Sequence, residues 1–183
     1  MSTLQSLSVI RTSRLDLREL DFNDAEFILR LLNEEGFIRF IGDKGVRTLA
    51  DARDYILQGP MDSYASNGFG LYAACLRDAT PIGICGLVKR EGLDDPDVGF
   101  AFLSRYWSLG YAVESAAAVL AHARDVLGLK RVVAITSPDN WSSIGVLEKI
   151  GLKYERMIRL VEHSPELKLF GLARAARRTN RNR

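Results

Sequence analysis

The residues best able to do chemistry in this chain lie in two blocks between Val98 and Gly151. The first reads Val98-Gly-Phe100-Ala-Phe102-Leu103-Ser-Arg-Tyr-Trp107-Ser-Leu109-Gly110-Tyr111-Ala112. It predicts a strand that enters a glycine turn and then a helix. A helix start has unpaired amides and a partial positive charge, and so attracts phosphate. Gly110 has no β-carbon and Ala112 has little more, so an anion can approach closely. Taken alone, the segment equally fits an ordinary strand-to-helix turn; it has neither the Gly-Lys-Ser/Thr of a P-loop nor a GxGxxG. The second block runs from Val132 through Asn140-Trp-Ser-Ser143 to Leu147-Glu-Lys-Ile-Gly151. Asn140 is placed to cap a helix. Ser143 shares the inward helical face with Val146, Leu147 and Ile150. Its hydroxyl is either aimed at the interior or bonded to nearby backbone. Together the blocks describe two parallel strands, each feeding a helix start. That suits a long phosphate-tailed cofactor whose reactive end lies between the strands.

Four carboxylates, Glu91, Asp94, Asp95 and Asp97, fall within seven residues just before the first block. They read either as a solvated turn or as a collar that attracts a cationic amine and supplies a base. Asp97 opens the cofactor strand and is the best placed. Glu114 lies in the first turn of the long helix, where a carboxylate is favourable anyway, and is read as structural. His122 falls on that helix's polar face with Ser115 and Asp125. His163 falls in a loop, and both histidines read as surface residues.

The elements that must position these groups follow from period and punctuation. Arg14 to Leu20 alternates polar and apolar, a first strand. Asp21 to Asn33 has helical spacing, and Glu34 to Arg47 reads as a loop with two phenylalanines. Thr48-Leu-Ala-Asp51 has capping-box spacing and opens a helix to about Ser66. Phe69–Leu76 and Ile82–Lys89 form a hairpin of strands. Asp97–Leu103 is the next strand, followed by a helix from about Gly110 to Leu127 with Ala112, Ala116, Val119, Leu120, Ala123 and Leu127 on its buried stripe. Arg131–Ser137 is a central strand. A helix from Trp141 to Ile150 ends at Gly151, which suits a left-handed cap. Lys153–Leu160 and Glu166–Ala173 finish as strands. The order is β-α-α-β-β-β-α-β-α-β-β. The strands flanking the long helix are parallel through a right-handed crossover, and the hairpins make the rest antiparallel. The expected class is therefore α/β with a mixed sheet, in a single domain over residues 9–173.

Bulk properties narrow the function. A chain of 183 residues with 47% hydrophobic content is ordinary for one globular domain. No apolar run approaches the roughly 18 residues of a membrane span, and the first residues lack signal-peptide features. A cytoplasmic protein is expected. The net charge of +2 is misleading, because Arg174, Arg177, Arg178, Arg181 and Arg183 crowd the last ten residues. Without them, 20 basic residues face 23 acidic ones. Residues 174–183 read as a basic, disordered tail rather than a nucleic-acid arm. Cys75 and Cys85 sit in apolar runs and read as buried free thiols, and two histidines cannot build a histidine-rich metal centre. No metal is expected.

The two blocks resemble the GNAT superfamily of acetyl-coenzyme A-dependent N-acetyltransferases, and within it the RimJ/RimL-like branch of ribosomal-protein-alanine acetyltransferase type. Thr12-Ser-Arg-Leu-Asp-Leu-Arg18 is similar to that branch's first strand. Ile41-Gly-Asp and Tyr111-Ala-Val-Glu114-Ser-Ala fit it as well. The likeness runs from about Thr12 to Leu172. The family's pyrophosphate loop has the form Gln/Arg-x-x-Gly-x-Gly/Ala. Trp107, Gly110 and Ala112 take its defining positions, while Ser108 and Leu109 stand where the branch often carries glycine and lysine.

The resemblance implies acetyl-CoA as co-substrate and the acyl-CoA N-acyltransferase fold, its parallel strands splayed around the coenzyme. It implies a primary amine as acceptor: a protein N-terminus, a small amine or an amino-sugar drug. Phe100, Phe102 and Leu103 would pair their backbone with the pantetheine arm, and Trp107, Leu109, Gly110, Tyr111 and Ala112 would form the phosphate loop. Asn140 would contact the arm, Ser143 would protonate the departing thiolate, and Asp97 is the candidate base. The acceptor pocket would draw on Phe37–Lys44, the acidic turn and the C-terminal hairpin. The alternative is a non-catalytic acetyl-CoA-binding module on the same fold. No nucleic acid or membrane partner is implied, and the assembly is a monomer or homodimer.

Overall fold

The structure, a computed structural model, describes residues 8–172. Strands β1 (Ser8–Arg11) and β2 (Leu15–Arg18) open the chain. Helices α1 (Ala25–Leu32), α2 (Glu35–Phe40), α3 (Leu49–Ile56) and α4 (Asp62–Asn67) follow. Strands β3 (Leu71–Leu76), β4 (Pro81–Val88) and β5 (Asp97–Phe102) lead to α5 (Tyr111–Asp125). Then come β6 (Val133–Thr136), α6 (Trp141–Lys149), β7 (Leu152–Ile158) and β8 (Leu167–Leu172). The mixed α/β class expected from sequence is the one observed. The basic tail, 174–183, lies outside the described residues.

The strands make one eight-stranded sheet in the order β1-β2-β3-β4-β5-β6-β8-β7. Every neighbouring pair is antiparallel except β5 and β6. β1 is a strand the alternation did not reveal. It is four residues long and bulged between Ser8 and Ile10, and only Ile10 of the four is buried.

Two apolar clusters cover the two faces of this sheet. Ala116, Val119 and Ala123 of α5 and Ile144 and Leu147 of α6 pack on one face, against Leu17, Leu87, Val98 and Phe170. Phe27, Ile28 and Leu31 of α1 and Ala52 and Ile56 of α3 cover the other, against Ala73, Cys75 and Ile84. Ser115 belongs with the first set: it is fully buried, and its hydroxyl donates to the Tyr111 carbonyl at 2.8 Å, so it is not on a polar face. Cys75 and Cys85 fall in opposite clusters and are free, and burial pushes both thiols up, to about 11 and about 12.

Two departures from the expected helices bear on the site. The segment read as a loop, Glu34 to Arg47, contains α2, whose Phe37 is buried. The helix expected from Thr48 to Ser66 begins with the predicted capping box but is broken at Leu57–Met61 into a wider π turn. Pro60 sits inside that turn. It has no amide to donate and its ring crowds the preceding carbonyl, so the backbone widens there.

Candidate active site

β5 and β6 meet at one register pair, Asp97 with Val133, beside a bond from the Val133 amide to the Pro96 carbonyl at 3.0 Å. Beyond that vertex the strands part. β5 stays fully paired to β4 on its other side, and β6 is fully paired to β8. The amide of Leu103 donates to Ile82 of β4 at 3.0 Å. Because strand groups alternate, the amides of Phe100 and Phe102 face the gap instead. A cavity of about 1090 Å³ fills the opening, lined along β5 by Gly99, Phe100, Ala101 and Phe102 and opposite by Ile135 and Thr136. Leu103 is not in its wall. It is buried in the core under the α1–α3 face, and its amide is spent on β4.

One end of the cavity is the start of α5. Gly110 is the N-cap with φ +85, a left-handed conformation that a side chain would strain. Ser108 also has positive φ, at 61, without glycine's freedom. The first helical bond joins the Glu114 amide to the Gly110 carbonyl at 3.0 Å. The amides of Tyr111, Ala112 and Val113 precede it and donate to nothing among the described residues. They form a ready anion site in the cavity wall. Leu109 contributes no wall: its side chain is 52% exposed.

Side chains from distant segments hold this turn. Glu114 accepts hydrogen bonds from the Thr12 and Ser13 hydroxyls at 2.7 and 2.9 Å and from the Arg14 amide at 2.8 Å. Arg14 Nε donates to its other oxygen at 2.6 Å, while Arg14 Nη1 donates to the Leu109 carbonyl at 3.0 Å. The guanidinium also lies 4.4 Å over the Tyr111 ring. Burial pushes the Glu114 carboxyl up, but these donors outweigh it and hold its pKa at about 2. The structural reading of Glu114 was correct; its partnership with Arg14, 100 residues away, carried no local signal. Trp107 braces the loop from the other side. Its Nε1–H donates to the Phe102 carbonyl at 2.7 Å, and its ring occupies the space that a β-carbon on Gly36 would need.

The opposite wall is the start of α6. Asn140 caps it, its Oδ1 accepting from the Ser143 amide at 3.0 Å. Ser143 Oγ makes no hydrogen bond among the described residues and lines the cavity. Trp141 is 72% exposed, with Lys168 Nζ 4.8 Å over its ring.

The other end, at the vertex, is built from side chains. Asp97 is 1% exposed and accepts from Arg90 Nε at 2.8 Å. Burial raises its pKa, and the Arg90 charge only partly opposes this. Lys44, Tyr55 and Lys89 share the wall with Arg90. Of the four acids in the predicted collar, Asp97 alone lines the cavity. Asp95 pairs with Arg131 at 2.9 Å, and Glu91 and Asp94 are exposed away from it. The Phe37–Lys44 segment does line it, as do Leu160 and Leu167 of the C-terminal hairpin.

By sequence and by fold, this chain resembles known proteins. The family model described as "Acetyltransferase (GNAT) domain" matches residues 14–153. The chain belongs to the GNAT acetyltransferase family. A curated relative, the uncharacterized N-acetyltransferase YnaD of Bacillus subtilis (strain 168), is 29% identical over 147 residues, spanning 80% of this chain and 83% of its own. An acetyltransferase structure from Agrobacterium tumefaciens str. C58 superposes with a TM-score of 0.77 at 23% identity, covering 93% of this chain and 97% of that one. RimL, a ribosomal L7/L12 α-N-protein acetyltransferase in complex with coenzyme A, gives 0.78 at 14% identity, covering 90% and 97%. At those identities the two structures are likenesses of fold. Among the described residues no group of three His, Cys, Asp or Glu could hold a metal, and no helix is long and apolar enough to cross a membrane.

Proposed function

We propose that the chain transfers the acetyl group of acetyl-CoA to a primary amine, by direct attack of the amine on the thioester, within one domain spanning residues 9–173. The observation that carries this reading is the continuity of one gap. It runs from the unpaired β5 backbone at Phe100 and the free Phe102 amide to the free amides at Tyr111, Ala112 and Val113. An extended, amide-bearing arm that ends in phosphates matches both. The pyrophosphate would sit on those amides next to Gly110, and the arm would add to the edge of β5. Asn140 Oδ1 accepts the cap bond from the Ser143 amide, and its side-chain NH₂ is free to donate to the arm.

The chemistry then falls to groups around the acetyl end. A protonated amine cannot attack, so a carboxylate must take its proton directly or through water. We assign this to Asp97. Its raised pKa makes it a better base than an ordinary carboxylate, and Arg90 stabilises it once ionised. The thioester oxygen gains negative charge as the amine adds, and of the two β5 amides that face the gap the Phe100 amide, the nearer to Asp97, would receive it. The C–S bond breaks next. The thiolate leaves readily, since a thiol pKa is only about 8.5. Ser143 Oγ, with its proton uncommitted, supplies modest assistance. Fixed geometry provides much of the acceleration. The two buried free thiols are in keeping with the cytoplasmic setting expected from sequence.

Free-thiol release from acetyl-CoA, measured across a panel of amines, tests this reading. Amine-dependent release that Asp97→Asn suppresses is expected. Tight coenzyme binding with no release for any amine would instead favour a non-catalytic binding module.

A further inference from the structure

The vertex end of the cavity carries a charge opposite to the one expected from sequence. Lys44, Lys89 and Arg90 line it, and Asp97 is the one buried acid there. Asp62, the other acid in the cavity wall, is exposed at the start of α4. Arg90 Nε is satisfied by Asp97, but its two Nη groups make no hydrogen bond among the described residues. Lys89 Nζ donates only to the Leu93 and Asp94 carbonyls, at 3.5 and 2.7 Å, so no carboxylate neutralises it. Lys44 has no ion pair among the described residues. Lys44 is exposed, yet partial loss of hydration lowers its pKa and the Arg90 charge lowers it further. The excess of positive charge is thus concentrated and uncompensated.

We propose that the amine accepted here carries an anionic group, a carboxylate or a phosphate, which docks on Arg90 and Lys44 while the amine is presented to Asp97. The proposal rests on the acetyltransfer reading above. The free Nη fork of Arg90 can meet two oxygens of either anion, and Lys44 adds a point charge. The Tyr55 hydroxyl, on the same wall, adds a neutral donor. A polycationic acceptor would meet like charge at each of these positions. The coenzyme's own phosphates do not explain the cluster. Their amide site lies past the far end of β5, a strand whose six residues from Asp97 to Phe102 extend over about 17 Å. Lys149, the remaining cation in the wall, belongs to α6 on the other side of the gap.

The experiment holds acetyl-CoA fixed and compares acceptors that differ in charge: phenylalanine with phenethylamine, phosphoethanolamine with ethanolamine, and amidated Ala-Glu-Glu with amidated Ala-Lys-Lys. Turnover is measured for each, together with equilibrium binding of each compound to the protein loaded with desulfo-CoA. In at least one pair the anionic member is expected to have kcat/KM about ten-fold or more above its partner. The winning pair identifies the source of the anion. Lys44→Gln, on an exposed loop, should raise KM for that acceptor by about five- to ten-fold and leave KM for acetyl-CoA in place. Lys44→Glu should shift preference toward the neutral or cationic member, and a thermal melt of each variant confirms the fold. Preference for the cationic members, or indifference of the anionic ones to Lys44→Gln, overturns the proposal and leaves acetyl transfer standing. Lys44-dependent binding of anions without turnover has the reverse meaning: the anion site stands and acetyl transfer fails. Absence of both binding and turnover for every anionic compound overturns the proposal.

Discussion

The two ends of the gap are made of different material. At the α5 end the ligand-facing groups are main-chain amides, and side chains such as Arg14, Glu114 and Trp107 only hold them in place. At the vertex the ligand-facing groups are themselves side chains, brought from α2–α3 (Lys44, Tyr55), from the end of β4 (Arg90) and from β5 (Asp97). Backbone amides recognise a phosphate whatever the neighbouring residues are, provided nothing bulky intrudes. Side chains recognise one acceptor and can be exchanged without disturbing the sheet. On the proposed function, the difference would separate an end that fixes the coenzyme from an end that chooses what is acetylated.

The largest expected effect comes from attacking the backbone end directly. Gly110→Glu combines a strained left-handed φ with a negative charge at the phosphate site. It should weaken coenzyme binding by roughly 100-fold or more, read by calorimetric titration. Unchanged affinity would remove Gly110 from the site.

At the vertex, Asp97→Asn should lower kcat by about 10²- to 10⁴-fold while coenzyme affinity holds. The pH profile sharpens this. Asp97 acts only when ionised, so the rate should rise as pH passes its raised pKa, and Asp97→Asn should lose that limb. The stability sign is opposite: the contribution of Asp97 is present below the ordinary carboxylate value and is lost as pH rises through its folded pKa.

The clamp behind the amides predicts a smaller and different loss. Glu114→Gln should cost about 2 kcal/mol of stability in urea melts and raise KM for acetyl-CoA more than it lowers kcat. Glu114 has its pKa lowered to about 2 from 4.5. Its contribution should therefore be whole above about pH 4.5 and fade as pH falls toward about 2. A wild-type curve that is flat across that window would show the clamp to be idle.

Smallest of all, Ser143→Ala should reduce kcat only a few-fold, because the leaving thiol needs little help at a pKa of about 8.5. Coenzyme affinity should not move. If kcat does not move either, Ser143 belongs to the α6 cap and nothing more.

The same contrast explains what could be read from sequence. Gly110, Ala112 and the flanking apolar runs mark the end proposed for the coenzyme, because a tight glycine turn between a strand and a helix leaves a local pattern. The chain order from β3 to β8 and the α5 crossover were legible from period and turn residues; β1, and the place of β8 between β6 and β7, were not. The burial of Leu103 in the core and the exposure of Leu109 depend on strand parity and on neighbours that the local pattern does not contain. The break at Pro60 was visible as a proline but not as a widened turn, since helix continuation depends on packing beyond it. The acidic run looked like a collar because four carboxylates are adjacent in the chain. In the fold, Arg131 and solvent draw three of them away. Arg90 and Lys44 meet only through folding, so nothing near either residue foretold the positive vertex.

The most direct measurement is a crystal structure with acetyl-CoA bound. The account predicts the pantetheine arm lying along Phe100 and Phe102 between β5 and β6, the pyrophosphate on the amides of Tyr111, Ala112 and Val113, and the acetyl group directed toward Asp97. Coenzyme bound outside that gap, or its phosphates resting on Lys44 and Arg90, would contradict it.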